Sequence, residues 1–183
     1  MRFLPVLILL AAQPAFAATH SKHPPKPAHP ASKAAPAAPA SAAPKSIGTW
    51  DKWEAATHPE GGQLVCYAFT RATSSTPAMP GRDDVVLTVT ERPGSRDAVA
   101  ISAGYAYPKD ASVEAQVEGT KLPFYTAGRS AFARDDKAAV AAFQKGREVV
   151  AHAPGPKGQV TDDFSLRGFS AAYAAIAKEC PAK

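Results

Sequence analysis

Short runs of alternating apolar and polar residues extend through most of the chain after residue 48. Alternation with a period of two is typical of strands that bury one face and expose the other. Turn-forming residues separate the runs at intervals of roughly eight to twelve residues, which is typical of β-sandwiches and β-barrels. The pattern therefore predicts a mainly β domain that is either a sandwich or a barrel.

The predicted strands share this alternation and are bounded by turn residues: 49–55, 64–69, 85–90, 98–107, 113–117, 122–126, 130–133, 148–153 and 160–166. The longest of them is 98–107. The polar stretch before residue 85 contains Pro77, Pro80 and Gly81 and is predicted to be a loop.

Two other stretches have the periodicity of helices. Asp135 is the predicted N-cap of a helix over residues 136–145, and Gly146 is its predicted stop. A second helix is predicted over residues 170–178. The apolar stripe that should dock this helix on the sheet consists of Phe169, Tyr173 and Ile176.

The N-terminus has the pattern of an export signal. Arg2 precedes an apolar run over residues 3–12, and a small-x-small signal-peptidase site ends at Ala17. A membrane span needs roughly 20 apolar residues, which is about twice this run. Residues 1–17 are therefore predicted to be a signal peptide, cleaved after Ala17 or, alternatively, after Ala18. The mature protein is expected in the periplasm or outside the cell, without a transmembrane segment.

A spacer is predicted next, over residues 18–45, which contain 10 Ala, 7 Pro, 4 Lys and 3 His but no acidic and no aromatic residue. Such a segment cannot form an apolar core, and its prolines favour extended polyproline II conformations. It is predicted to be disordered, with a reach of roughly 80 Å at full extension. Its lysines are expected either to contact an anionic surface, such as lipid head groups or cell-wall polymer, or to be solvated without a partner.

The formal net charge of +5 resides entirely in the first 45 residues. All 16 acidic residues and 16 of the 21 basic residues come later, so residues 46–183 are formally neutral. A nucleic-acid-binding domain would carry a basic face on its folded part. The charge distribution therefore argues against a nucleic-acid partner.

The two cysteines, Cys66 and Cys180, are too few for a zinc site of four thiolates or for a disulfide-dense miniprotein. One lies on an early predicted strand, and the other follows the last predicted helix. In an exported chain, this arrangement favours a disulfide over two free thiols. No cofactor is predicted.

No catalytic motif was found: there is no Gly-x-Ser-x-Gly, His-Glu-x-x-His, Cys-x-x-Cys or glycine-rich phosphate loop. His58 is predicted to lie in a Pro/Gly turn at the surface, and His152 at the surface end of a strand, just before another turn. Three acidic pairs are predicted to be caps and solvated turns: Asp83-Asp84, Asp135-Asp136 and Asp162-Asp163. If one of them were an unrecognised acid/base pair, the protein would be a hydrolase of cell-wall or glycan substrates.

Cleavage after Ala17 would create a new N-terminus at Ala18-Thr19-His20. Its amine, two amides and imidazole form a square-planar nitrogen set that suits Cu(II) or Ni(II). Cleavage after Ala18 would remove this geometry, because only one amide would then separate the amine from the imidazole. His23 and His29 are candidates for weak secondary sites. The alternative is that His20 is an incidental residue of the spacer.

Five segments of the folded part carry a family resemblance: 50–53, 64–67, 101–107, 124–135 and 164–173, with Cys180 after the last. They resemble the invasion-associated locus B family, and FSLRGFSAAY at 164–173 is the most specific of them. The resemblance covers roughly residues 48 to 181.

The resemblance implies a secreted or periplasmic protein with an immunoglobulin-like β-sandwich, here over residues 46–183, and a terminal cysteine-bearing helix. The family offers no catalytic motif to carry over to this chain. We therefore expect a non-enzymatic envelope protein that acts as a binding or accessory factor, with an envelope protein as its partner. The alternative is the hydrolase described above.

Overall fold

The computed structural model describes residues 43–182, so the predicted signal peptide and most of the spacer lie outside the described residues. The strands are β1 (Lys45–Trp50), β2 (Trp53–Glu60), β3 (Gln63–Arg71), β4 (Ser74–Thr76), β5 (Val86–Arg92), β6 (Ser95–Ser102), β7 (Ser112–Val117), β8 (Thr120–Ala127), β9 (Ser130–Ala133), β10 (Glu148–Gly155) and β11 (Gly158–Ser165). The helices are α1 (Asp136–Lys145) and α2 (Phe169–Glu179).

The eleven strands form one antiparallel sheet in the order β1-β2-β3-β5-β6-β9-β8-β7-β10-β11-β4. Most neighbours are joined by tight hairpin turns. Gly61 and Gly62 make the turn between β2 and β3, both with positive φ. Glycine adopts this conformation without steric cost, so the turn follows directly from the local sequence.

The sheet curls back on itself between β3 and β4. The Ala72 amide donates to the carbonyl of Val85, which precedes β5, and the next amide, that of Thr73, donates to the carbonyl of Asp163 in β11. Two successive residues therefore bind segments that lie far apart in the strand order. The curled sheet encloses a main apolar core to which residues of most strands and of both helices contribute.

Aromatic side chains from the sheet and from both helices meet at the centre of this core. The ring centroid of Phe169 in α2 lies 4.8 Å from that of Trp53 and 5.5 Å from that of Phe143 in α1. The Trp53 indole N–H donates to the Ser165 carbonyl at 2.9 Å, so this buried ring has its polar atom satisfied. These contacts hold both helices against the sheet.

The predicted mainly β fold with one internal helix and one C-terminal helix is confirmed. Helix α1 has the predicted bounds, and the Asp135 carboxylate accepts from the Ala138 amide at 3.0 Å as its N-cap. Helix α2 is one residue longer at each end than predicted. Its predicted stripe is fully buried at Phe169 and Ile176 and half-buried at Tyr173.

Two strand predictions and one loop prediction were wrong. The segment 49–55 is a hairpin, because Asp51, with φ 54°, and Lys52 form a turn between β1 and β2. The segment 98–107 ends as a strand at Ser102, since the chain turns at Gly104 with φ 72°. The predicted loop contains β4, whose polar residues show no alternation and are ordered by pairing with β11.

Candidate functional site

A cleft of about 400 Å³ opens between the loop that follows β4 and the hairpin turn that joins β10 to β11. Its walls are mainly apolar, and Lys157 on the hairpin turn is one of the lining residues. The Arg82 amide donates to the Met79 carbonyl at 3.2 Å, which closes the turn that carries Met79. The apolar lining includes Pro77, Met79, Pro80, Tyr105 and Val160.

A buried ion pair lies beneath this cleft. The Arg82 guanidinium donates to both oxygens of the Asp162 carboxylate, at 2.7 and 2.8 Å, and its Nε–H donates to the Ala103 carbonyl at 2.6 Å. The two side chains are only 6 % and 4 % exposed. The Ser75 hydroxyl donates to the same carboxylate at 2.7 Å. This bidentate pair fixes the loop after β4 to strand β11, because both partners are fully engaged.

Two tyrosines pack beside the ion pair. The Arg82 guanidinium carbon lies 5.0 Å from the centroid of the Tyr105 ring, a cation–π arrangement. The Tyr105 and Tyr107 rings meet edge to face with centroids 5.3 Å apart. Burial raises the pKa of both phenols above the ordinary value, so both remain neutral at physiological pH.

The cleft offers apolar contacts above an ion pair whose two charges neutralise each other. Both oxygens of the Asp162 carboxylate accept hydrogen bonds from Arg82, so the carboxylate is engaged within the ion pair. The neighbouring Asp163 faces the other side of β11 and accepts from the Ser74 hydroxyl. The Asp162-Asp163 pair therefore cannot act as two convergent carboxylates.

A second buried carboxylate lies near the C-terminal helix. Glu91 is fully buried, forms an ion pair with Arg96 in which Nε and Oε2 are 2.7 Å apart, accepts from the Asp97 amide at 3.3 Å, and leaves Oε1 without a partner. Burial raises its pKa to about 7, against the opposing effects of the Asp97 amide and the Arg96 charge. The Tyr173 hydroxyl of α2 donates to the Asp97 carboxylate at 2.6 Å.

The structure joins Cys66 and Cys180 in the predicted disulfide, with Cα atoms 6.0 Å apart. Cys66 lies on β3 opposite Glu91 of β5, and Cys180 is the C-cap of α2. The Arg96 guanidinium also donates to the Cys180 carbonyl. The end of α2 is therefore held to the sheet by a covalent bond and a hydrogen bond. None of the residues that make these bonds lines the cleft.

His58 lies in a strand rather than in the predicted turn, whereas His152 lies in a strand, in agreement with the predicted strand 148–153. His58 belongs to β2, and its ring centroid is 5.6 Å from that of Tyr67. His152 lies within β10, with Nδ1 3.0 Å from the Thr161 hydroxyl oxygen. Both hairpin turns begin later than predicted because the strands extend into the Pro-containing segments.

The predicted acidic pairs have different outcomes. Asp135 caps α1 as predicted, and Asp83 and Asp84 are exposed partners of arginines at the surface. Asp162 is instead a buried residue of β11, which contradicts its predicted place in a solvated turn.

Sequence reasoning missed the roles of Arg82, Glu91 and Asp162, although a signal for the two acids was present. Asp162 shares the inward phase of Val160 and Phe164, and Glu91 shares that of Leu87 and Val89. An acid in the inward phase of a strand requires a buried cationic or hydrogen-bonding partner.

The predicted cleavage sites after Ala17 and Ala18 and the speculative metal ligand His20 lie outside the described residues. Within residues 43–182, no group of three or more His, Cys, Asp or Glu side chains is arranged to hold a metal ion. In the same part of the chain, no helix is both long and apolar enough to cross a membrane.

The family model described as "Invasion associated locus B (IalB) protein" matches residues 53–177, which is more than half of the chain. The chain belongs to the invasion-associated locus B family. The match contains the strands from β2 to β11, the loop after β4 and most of α2, so the resemblance of the separate segments extends to the fold as a whole.

A solved structure also resembles this member of the invasion-associated locus B family. It is the crystal structure of invasion associated protein B from Bartonella henselae, with a TM-score of 0.52 and 19 % sequence identity. The similarity covers 72 % of this chain and 97 % of that one, and it supports the fold. No curated protein matches the chain. The family and the disulfide together indicate a protein outside the cytoplasm.

Proposed function

We propose that this protein is a non-enzymatic binding or accessory factor of the bacterial envelope, located in the periplasm or secreted. In this proposal the cleft above Arg82 binds an apolar segment of another envelope protein. The N-terminal export pattern and the disulfide support this location.

The single observation that carries the proposal is an apolar cleft built on a neutralised ion pair. A volume of about 400 Å³ accommodates a few side chains of a partner, and sites of this kind bind mainly through apolar contact. The Arg82 and Asp162 charges are paired with each other, so an apolar group can bind in the cleft without breaking their hydrogen bonds. Besides Arg82, the lining residues of the cleft contain one cation, Lys157.

The test is affinity capture from an envelope extract with three forms of the mature protein: the natural sequence, Met79→Asp and Leu64→Asp. Met79 lines the cleft. Leu64 does not; it is an exposed apolar residue, 44 % accessible, at the start of β3. We expect the natural protein and Leu64→Asp to recover one stoichiometric partner and Met79→Asp to lose it, because a carboxylate in the apolar cleft is costly.

Capture of the same partner by all three forms would place the binding surface outside the cleft. Absence of a stoichiometric partner for the natural protein would contradict the binding role itself. Thermal unfolding of both variants in parallel shows whether a loss of capture reflects the cleft or the folding of the domain.

A further inference from the structure

A strip of aromatic side chains lies on the outward face of the sheet. Tyr67 and Phe69 are two residues apart on β3, so their side chains share this face. The Tyr67 ring centroid lies 5.6 Å from that of His58 on β2 and 5.9 Å from that of Phe69. All three side chains are half-buried, so each ring keeps part of its surface in contact with solvent.

These rings line a shallow trough of about 480 Å³ over β2, β3 and β5. Thr88 and Thr90 of β5 belong to the same lining, and Thr88 is directly opposed to Phe69. Ala100 of β6 follows Thr88 in this row, and neither side chain is large enough to block the face of the sheet at this point. We call this surface the aromatic trough.

The arginines beside the aromatic trough are paired with acids. Arg71 donates to the Glu54 and Asp84 carboxylates, each at 3.1 Å. Arg92, which lines the trough, donates to the Glu60 carboxylate at 3.2 Å. These charges are balanced within the protein, so the trough suits an uncharged ligand better than a charged one.

The paired groups keep hydrogen-bonding capacity for a ligand. A guanidinium has five N–H donors, and the bonds from Arg71 to Glu54 and Asp84 use two of them. The guanidinium carbon of Arg71 lies 5.5 Å from the centroid of the Phe69 ring, so its remaining donors are close to the ring face. The Arg71 and Glu54 side chains are 54 % and 48 % exposed. The edge of the trough can therefore both donate and accept hydrogen bonds.

An uncharged sugar ring matches these two kinds of surface. Its C–H face packs on aromatic rings, whose faces carry partial negative charge, and its hydroxyl groups both donate and accept at the ring edge. A protein partner fits less well, because the core of a protein interface is depleted of charged residues and would desolvate the ion pairs of Arg71 and Arg92. Sugar hydroxyls can bond to these pairs instead.

We propose that the aromatic trough binds uncharged pyranose units of an envelope polysaccharide, stacked on Tyr67 and Phe69 and hydrogen-bonded at Arg71. Sites for small free molecules bury most of the ligand surface, which a shallow trough does not do. A long chain can instead be held through several weak contacts of neighbouring units. The family and the disulfide indicate a location outside the cytoplasm, where such polysaccharides occur. None of these three residues lines the cleft above Arg82.

The test follows the backbone amide chemical shifts of the mature protein during titration with neutral hexasaccharides of glucose, mannose and N-acetylglucosamine. The three corresponding monosaccharides, at equal concentration of sugar units, represent free sugars, and a hexasaccharide of galacturonic acid represents a charged chain. Titrations at two salt concentrations show whether charge contributes to binding.

Three variants are titrated in the same way. Phe69→Ala removes a ring of the aromatic trough, and Arg71→Gln removes the guanidinium but leaves the rings. Because Arg71 is exposed, its replacement leaves the core intact and keeps the proposal testable if Phe69→Ala unfolds. The control, Leu64→Ala, removes an exposed apolar side chain from the same strand outside the trough. Thermal unfolding shows which variants are folded.

We expect at least one neutral hexasaccharide to shift the amides of Tyr67, Phe69 and Thr88 to saturation, with an affinity that does not change with salt. Phe69→Ala and Arg71→Gln should each weaken this affinity by at least roughly fivefold, because each loses one direct contact with the sugar. Leu64→Ala should bind as the natural protein does.

The proposal would be overturned if none of the neutral hexasaccharides shifted the trough amides, or if Arg71→Gln bound them with unchanged affinity. Tighter binding of the galacturonic acid chain would show that the trough selects charge. Equal binding of monosaccharides and hexasaccharides would assign the trough to free sugars and contradict the polysaccharide ligand.

Discussion

Two buried carboxylates in the described residues differ in how completely they are satisfied. Asp162 has both oxygens bound by Arg82 and a further bond from Ser75, whereas Glu91 leaves one oxygen without a partner. Removal of one partner of a buried ion pair leaves the other charge unpaired, while an incompletely satisfied buried acid tends to hold its proton. Substitution and pH should therefore affect the two sites differently.

Asp162 is buried, and removal of its carboxylate should be among the most destabilising substitutions in the domain. We expect Asp162→Ala to lower the free energy of unfolding by about 3–5 kcal/mol, because Arg82 would remain buried without its counter-ion. The control is Glu114→Ala, which removes an exposed pair with Lys121 and should cost less than about 1 kcal/mol. Urea unfolding of the two variants measures both values, and similar losses would contradict this account.

Glu91 should make the stability of the domain depend on pH. Its pKa is about 7 in the folded protein, above the ordinary value of 4.5, so the folded state binds this proton more tightly than the unfolded chain. The contribution is therefore fully present below about pH 4.5 and is lost as the pH rises through about 7, with an upper limit on the order of 3 kcal/mol.

The variant Glu91→Gln keeps the shape of the protonated acid but does not titrate. Across the range from pH 4.5 to 8, its free energy of unfolding should decline less than that of the natural protein in matched urea titrations. Parallel pH profiles for the two proteins would show that Glu91 does not hold the proton.

At the scale of elements, the C-terminal helix is fixed at both of its ends. Its N-cap, Gly168, has φ 91°, and a Cβ there would overlap the Trp50 carbonyl oxygen. Its C-cap, Cys180, is bonded to Cys66. The helix packs against β1, β2 and β3 between these two points, and Phe169 carries its contact to the centre of the core.

Gly168→Ala should destabilise the domain by more than about 2 kcal/mol, because the added methyl group meets backbone and the φ angle is unfavourable for alanine. Gly94 provides a matched control. Nothing lies within 4 Å of a Cβ at that position, so Gly94→Ala should change stability by no more than about 0.5 kcal/mol. Thermal unfolding of the two variants distinguishes a backbone constraint at Gly168 from a general effect of replacing glycine.

The disulfide should contribute substantially to stability because it closes a long loop. The two cysteines are 114 residues apart, and in the chain-entropy model a loop of this size restricts the unfolded state by about 4–5 kcal/mol. We expect the variant with Cys66→Ala and Cys180→Ala to lose up to this amount in urea unfolding. Addition of a reductant should lower the stability of the natural protein and leave the variant unchanged.

At the scale of the whole molecule, charge is divided between a neutral folded part and a basic N-terminal segment. Lys22, Lys26 and Lys33 lie in the predicted spacer. A lysine near an anionic surface contributes about 1 kcal/mol, and salt screens this attraction.

We therefore expect the mature protein to bind anionic lipid vesicles, and the triple change Lys22→Gln, Lys26→Gln and Lys33→Gln to weaken binding by roughly a hundredfold at low salt. The control changes the same charge on the folded domain at the exposed residues Lys109, Lys137 and Lys178. Vesicle co-sedimentation at two salt concentrations measures both proteins. Equal weakening in the two triple variants would mean that the spacer is not the site of contact.

Much of the local structure follows from the sequence, because it depends on neighbouring residues. Period-two alternation located most of the strands, and Asp135 and Gly146 bounded α1. With only two cysteines, a single disulfide pairing was available, and the export pattern favoured its formation. Each of these features depends either on residues within one element or on a pairing for which the sequence has no alternative.

Only the tertiary structure decided the features that depend on distant partners. Strand β4 has no apolar pattern of its own and exists because the curled sheet brings β11 beside it. Arg82 and Asp162 are 80 residues apart, so the sequence could mark Asp162 as an acid in an inward phase but could not name the group that neutralises it. The cleft depends on this pair, because a buried charge is stable only where the fold delivers its counter-ion.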